Sequence, residues 1–276
     1  MAELGKTNKL TILKTSDFGL FLDGHDLGEI LLPKRYVTPN MKPGDEVSVF
    51  IYLDGEERYT ATTEKPTAEV GHVAFMKVRS VEKAGAFLEW GIMKDVLVPF
   101  SEQKVKMEPG KYYIVFLYVD KITERITASM KLEKFIHKSL PDYSAGQKVS
   151  GIIVQSTDLA YKVVIDDRHF GLLYKNEVFK PLMVGQKLTL HVKKVRPDGK
   201  IDLSAEAPGH VKLDDNSQKI LDRLSHEGGF LPFHDKTDAE VIYRHFGISK
   251  KVFKASIGQL YKQRKIEILP HGIKTL

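Results

Sequence analysis

Aromatic and basic side chains at recurring positions carry the chemistry this sequence offers. Phe18 and Phe21 lie on either side of Gly19, and Phe87 stands two residues after Gly85 in a second segment of the same form. Exposed rings of this kind stack on the bases of single-stranded nucleic acid, at about 1–3 kcal/mol per base. Arg58, Arg125 and Lys200 sit at or near turns, and Lys162 and Tyr174 belong to a third, more diverged segment. Lysine and arginine neutralise phosphates and make such binding salt-dependent. Each Phe has an alternative place in an apolar core. Being three apart, Phe18 and Phe21 share one surface of a strand only if it bulges or twists near Gly19. Asp54 and Asp120, at matching turns, can accept hydrogen bonds from a base or ribose, or can simply close the turn.

Catalytic arrangements are not legible. The sequence holds no Gly-x-x-x-x-Gly-Lys-Ser/Thr phosphate loop, no Gly-x-Ser-x-Gly elbow and no His-Glu-x-x-His helix. His226-Glu227 opens like the last of these, but Gly228-Gly229-Phe230 breaks it. The carboxylate pairs Asp166-Asp167 and Asp214-Asp215 fall in apparent turns, where solvation explains them. The chain has no cysteine, which excludes a disulfide framework, a thiol nucleophile and a Cys-based zinc site. The expectation is a protein that is not an enzyme and has no cofactor and no metal. Its rival is an acidic nuclease site assembled from distant residues.

The elements that must position these residues repeat. Offset by 66, residues 17–63 lie on residues 83–129 without gaps and with 12 identities in 47 positions, chiefly glycines, prolines and apolar residues. A further offset of 75 brings in a third copy, which departs where Gly85 meets Ala160 and Phe87 meets Lys162. Units of this length are small complete domains rather than solenoid repeats. In the third copy, residues 148–154, 160–165, 170–174, 187–192 and 201–204 read as five short strands divided by turn signals. Five strands in so short a unit suit a closed barrel of the OB type, because closure removes exposed edges. An SH3-type barrel fits the pattern as well.

Here the residues carry a resemblance. Phe18-Gly19-Leu20-Phe21-Leu22 and Ala84-Gly85-Ala86-Phe87-Leu88, each followed by a second strand, a Pro-Gly pair and a long strand, resemble the RNA-binding OB domain named after ribosomal protein S1. The resemblance implies stacking by Phe18, Phe21 and Phe87, a basic residue near the last turn at Arg58, Arg125 and Lys200, and Lys162 and Tyr174 as the third copy's counterparts. Its usual ring on the next strand is replaced by Pro33 and Pro99 in the first two copies.

After Pro208 the pattern turns helical. Ile220, Leu221 and Leu224 mark one amphipathic helix. Thr237, three residues before Glu240, reads as a capping box opening a second, which Gly247 ends. Ser249 caps a third helix, with Phe253, Ile257 and Leu260 on one face and Lys250, Lys251, Lys254 and Lys262 elsewhere around it. Residues 266–268 and 273–276 read as a strand pair. Three helices and a hairpin make a winged helix, a fold that often sets its third helix in a nucleic-acid groove. Charge agrees in sign. The chain holds 42 Lys+Arg against 36 Asp+Glu, and residues 217–276 alone carry 11 bases to 6 acids.

The expected architecture is therefore mainly β with a smaller α/β part: three tandem five-stranded OB-fold barrels followed by a C-terminal winged helix. The divisions fall at 1–66, 67–132, a linker over 133–143, 144–208 and 209–276. This order resembles the conserved virulence factor B family of bacteria. That resemblance implies binding to RNA, single-stranded by preference, with a regulatory outcome. DNA at the winged helix is a second option for that domain, and a protein-docking scaffold is the rival for the whole. No apolar run approaches the roughly 20 residues of a membrane span, and the first residues lack the apolar core of a signal peptide. A cytoplasmic protein without membrane contact is expected.

Overall fold

The computed structural model describes residues 1–136, 139–178, 181–205 and 213–276. The expected boundary at 208 and the side chains of Asp214-Asp215 lie outside the described residues. Residues 1–139 with 167–169, and 140–166 with 170–276, form two compact units.

In the first barrel β1 (Thr7–Ser16), β2 (Gly19–Asp23), β3 (Glu29–Pro33), β4 (Glu46–Leu53) and β5 (Tyr59–Thr62) close in the order β1-β2-β3-β5-β4. Strand β1 pairs antiparallel with both β2 and β4, while β3 runs parallel to β5. The second barrel repeats this with β6 (Val73–Glu82), β7 (Gly85–Leu88), β8 (Val96–Pro99), β9 (Tyr112–Val119) and β10 (Ile126–Ser129). The third uses β11 (Lys148–Ser156), β12 (Ala160–Ile165), β13 (His169–Tyr174), β14 (Lys187–Val195) and β15 (Ile201–Ser204). All three are Greek-key barrels of the OB type, which decides against the SH3 alternative.

Alternation places Leu20 and Leu22 inside the first barrel and Phe21 outside, with Ala86, Leu88 and Phe87 arranged alike in the second. The glycines that open β2 and β7 are dictated by crowding. Gly19 has φ +146° and Gly85 φ +147°, and a Cβ there would sit 2.0 Å from the Leu32 carbonyl oxygen or 2.2 Å from that of Val98. The expected bulge is not at Gly19. It lies across the ladder in β1, between Ile12 and Lys14, where the pairing with Leu22 and Phe21 slips by one residue.

The first barrel lends two side chains to the core of the second. Phe50 and Tyr52 of β4 are buried among the side chains of the second barrel, and Phe50 meets Trp90 edge-on with ring centroids 5.2 Å apart. Trp90 Nε1 donates to the Ala68 carbonyl at 2.7 Å, and Lys94 Nζ donates to the carbonyls of Leu53 and Asp54, both at 2.6 Å. The segment expected as a linker starts packed against the second barrel, where Phe135 stacks on Phe116 at 4.5 Å.

The C-terminal domain runs α1 (Leu213–His226), β16 (Phe230–Leu231), α2 (Ala239–Phe246), α3 (Lys250–Lys262), β17 (Ile266–Leu269) and β18 (Gly272–Thr275), with a three-stranded sheet ordered β16-β18-β17. This is a winged helix. Its core gathers Ile220, Leu224, Ile242, Phe253, Ile257 and Leu260. Helix α2 is capped by Asp238, which accepts from the Glu240 N–H at 2.8 Å, rather than by Thr237. The Thr237 hydroxyl instead accepts from the His234 N–H, closing the preceding turn. Gly247 ends α2 at φ +67° and Ser249 caps α3, as the sequence implies.

Trp90 is the largest fully buried side chain and supports both barrels. Trp90→Ala is expected to cost about 3–5 kcal/mol, read as a lower midpoint of urea unfolding.

Candidate nucleic-acid interface

On the first barrel Phe18 is not in a strand. It sits in the turn before β2, 75% exposed, with its carbonyl held by the Lys34 N–H at 2.8 Å. Phe21 lies on the outer face of β2, half-buried, with Lys14 Nζ 5.0 Å from its ring centre. Neither ring is in the barrel core. Arg58 is exposed at the last turn and bonds Asp54, Nε to Oδ2 at 3.0 Å, with Nη1 on Glu56 at 2.8 Å. Burial alone would raise the Asp54 carboxyl, but the backbone N–H and guanidinium of Arg58 outweigh it and hold it below the ordinary value.

The second barrel differs in its partners. Phe87 is half-buried on the outer face of β7, and the turn position filled by Phe18 in the first barrel holds exposed Ala84. Asp120 spends its carboxylate on the N–H groups of Thr123 and Ile122, which hold its carboxyl down. Arg125 therefore reaches across to Glu57 of the first barrel. Between them lies a cavity of about 300 Å³, lined in part by Phe87, Leu97, Lys94, Asp95 and Arg125. Burial lowers the Lys94 ammonium and raises the Asp95 carboxyl. Asp95 Oδ2 takes Arg79 Nε at 3.2 Å, while its buried Oδ1 has no partner among the described residues.

In the third barrel the same face is rebuilt with other residues. Lys162 occupies on β12 the place of Phe21 and Phe87, and its Nζ lies 3.9 Å from the ring centre of Phe170 on β13. Tyr174, at the end of β13, accepts through its hydroxyl from Arg196 Nη2 at 2.6 Å. Arg196 also grips Asp202, Nη2 to Oδ1 at 2.7 Å and Nε to Oδ2 at 2.9 Å, and these bonds raise the guanidinium further. Asp202 stands on β15 opposite Leu172, where Thr60 and Thr127 stand opposite Leu31 and Leu97. Lys200 is exposed and pairs with its own turn residue Asp198 at 2.9 Å. Phe170, Arg196 and Asp202 are the residues sequence reasoning missed; the signal available was an arginine just ahead of the Pro197-Asp198-Gly199 turn.

On α3, Lys251, Ala255, Gly258 and Lys262 fall along one face, with Lys254 at its edge. Lys251 and Lys262 are exposed, without an acidic partner among the described residues; Lys254 lies 3.5 Å from Asp235. Lys250 differs from the other three, since it is half-buried and donates to the Lys236 carbonyl at 3.2 Å. Among the described residues no group of three or more His, Asp and Glu is placed to hold a metal ion, and no helix is long and apolar enough to cross a membrane.

With this geometry in hand, the likenesses to known proteins fall into place. Residues 4–64 and 70–131 match the S1 domain, and residues 218–274 match the CvfB-like winged helix domain. The chain is 29% identical over 274 residues to the Bacillus subtilis protein YitL, covering 95% of this chain and 90% of that one. It is 27% identical over 235 residues to conserved virulence factor B of Staphylococcus aureus, covering 83% and 78%. A Streptococcus pneumoniae crystal structure, described as a multidomain protein with nucleic acid binding domains, covers 99% of this chain and 98% of its own at 25% identity and a TM-score of 0.40. Two matched S1 barrels, a third of the same topology and this particular winged helix make the chain a member of the conserved virulence factor B family.

Proposed function

We propose that the chain is a non-enzymatic RNA-binding protein of the bacterial cytoplasm that regulates gene expression after transcription, virulence genes included. Single-stranded RNA runs over the outer faces of the barrels. Phe18, Phe21 and Phe87 stack bases, and Arg58, Arg125, Lys162 and Lys200 meet phosphates, with Tyr174 and Phe170 supplying the rings of the third barrel. Lys251, Lys254 and Lys262 of α3 give the winged helix a basic surface of its own, and Lys250 bonds the Lys236 carbonyl at the start of that helix.

One observation carries the reading. The same outer face bears an aromatic ring beside a cation in the first and third barrels, although no residue is shared: Phe21 with Lys14, and Phe170 with Lys162. A core requirement would conserve inward residues, not rebuild an outward pair. Stacking with phosphate neutralisation is what such a pair offers a polynucleotide.

A protein-docking surface is the second reading. It is favoured by a groove of about 630 Å³ on the second barrel, lined by Phe75, Tyr112, Met93, Lys77 and Arg79. Its cations already face Glu89 and Asp95, which leaves a charge-balanced surface bearing two partly exposed rings, better suited to a polypeptide than to phosphates.

The test is a titration of labelled single-stranded RNA and duplex DNA of equal length at two salt concentrations. RNA is expected to bind more tightly, and more weakly as salt rises. Phe18→Ala with Phe21→Ala should weaken RNA binding about thirtyfold or more with little change in its salt dependence. Lys251→Ala with Lys262→Ala should instead reduce the salt slope by about two. Absence of binding to either ligand would sink the nucleic-acid reading and leave the docking groove. Glu57→Gln, which releases Arg125, is expected to tighten RNA binding a few-fold at low salt, by about 0.5–1 kcal/mol.

A further inference from the structure

Within the compact unit that holds the first two barrels, the cavity of about 300 Å³ has walls from different barrels. One wall is the turn between β4 and β5, with Asp54, Gly55 and Glu57. The other is the outer face of the second barrel, with Phe87, Leu97 and Thr127. Those three form one row across the sheet, since Phe87 pairs with Leu97 and Leu97 with Thr127. The first barrel's turn therefore stands over the middle of the second barrel's outer face. An OB face that follows a nucleic-acid strand accommodates about four or more nucleotides. The space left under the turn is at the lower limit of pockets for one small molecule. A strand does not fit there while the turn is down.

The contacts that hold the turn down imitate those of a phosphate. Arg125 donates to the Glu57 carboxylate, and Lys94 Nζ donates to the carbonyl oxygens of Leu53 and Asp54, both at 2.6 Å. Oxygen acceptors thus already sit on both cations that line the cavity. The composition of the turn agrees. Residues 54–58 carry three acids to one base, whereas the matching turns at 120–125 and 196–200 carry two to two and one to two. The strand beneath is fixed, because Phe50 and Tyr52 are buried in the core of the second barrel. Beyond Leu53 the turn is tied down by Lys94 and by an exposed ion pair, which is weak and screened by salt.

We propose that this turn is a built-in competitor of RNA: its acceptors take the places of phosphate oxygens on Arg125 and Lys94, and RNA reaches the second barrel's face only by lifting it. The proposal rests on the RNA-binding reading above and adds to it a closed state of one barrel. RNA favours the lifted turn by binding that state alone. The second barrel then joins a strand already held elsewhere on the chain.

The test clamps the turn. The chain has no cysteine, so Gly55→Cys with Ala84→Cys, on opposite walls of the cavity, can be bridged by a flexible thiol reagent that a reductant removes. Ala84 is exposed, and a Cβ at Gly55 meets nothing within 4 Å. Labelled single-stranded RNA is titrated into the whole chain, bridged and released. Bridging is expected to weaken binding about tenfold, the worth of one stacked base, and reduction to restore it. Phe87→Ala should weaken the released chain by the same factor and leave the bridged chain unchanged. The reagent on Gly55→Cys alone rides on the turn without holding it, and should change little. Equal binding by the bridged and released chains overturns the proposal and leaves RNA binding standing, as does a Phe87→Ala loss that is the same in both. An equal loss from the one-ended reagent also overturns it, because the reagent and not the closed turn would be responsible. If the two-cysteine chain does not fold, Glu57→Gln asks the same question. Its gain in affinity should shrink in the Phe87→Ala background, and a gain that stays the same overturns the proposal. Absence of RNA binding by the unaltered chain removes the RNA reading itself, and this proposal with it.

Discussion

A five-stranded barrel has room inside for one small cluster of apolar side chains, and that limit governs the rest of this structure. Strand alternation then fixes which residues turn inward, and the ladder must bring β2 against β3 closely enough that Gly19 and Gly85 admit no Cβ. Once the inward set is spent on closure, the outer faces of the second, third and fifth strands are free of folding duties. Phe21, Phe87, Lys162, Phe170 and Tyr174 stand there, with Phe18, Arg58 and Lys200 in the adjoining turns. The barrel thus separates the residues that hold it together from those that can meet a ligand.

Separation explains how the third barrel lost its signature and kept its face. Lys162 replaces the phenylalanine on the second strand, and the ring reappears one strand over as Phe170. The acidic partner of the basic residue moves as well, from the turn at Asp54 to the strand at Asp202, and Arg196 follows it. None of these exchanges touches the core residues Val163, Ile165, Leu173 and Leu203. Outward positions exchange roles between neighbouring strands cheaply, because adjacent strands bring their side chains within reach of one another.

Legibility in the sequence followed the same division. Strands, barrel order and the winged helix could be read because inward apolar periodicity, glycine crowding and helix caps are local. The expected strands of the third copy lie within or match those observed, and Gly247 and Ser249 bound their helices as the spacing implied. Where two adjacent residues compete for one role, as Thr237 and Asp238 do for the cap of α2, the order of residues pointed to Thr237 and the structure uses Asp238. Of the candidate site, the sequence shows positions and not their surroundings. Phe21 and Phe87 are found on outer strand faces and Phe18 in the turn beside one, but Phe170 and Arg196 gain meaning only from register between strands. The Arg125–Glu57 pair and the grip of Lys94 on the first barrel join residues far apart in the chain, which no spacing rule connects.

The basic residues of the barrels are not idle in the free protein. Arg58 pairs with Asp54, Arg196 with Asp202, Lys200 with Asp198, and Arg125 with Glu57. A phosphate arriving at any of them competes with a carboxylate already in place, so each contact contributes only the difference between two ion pairs. Stacking has no such competitor at Phe18, which stands exposed in water. On the proposed function, a barrel of this design gains more from its rings than from its charges, and its grip on a single nucleotide is modest. Linking several such faces raises the local concentration of each once one is engaged. On that proposal, three barrels and a basic helix on one chain are the physical answer to sites that are individually weak.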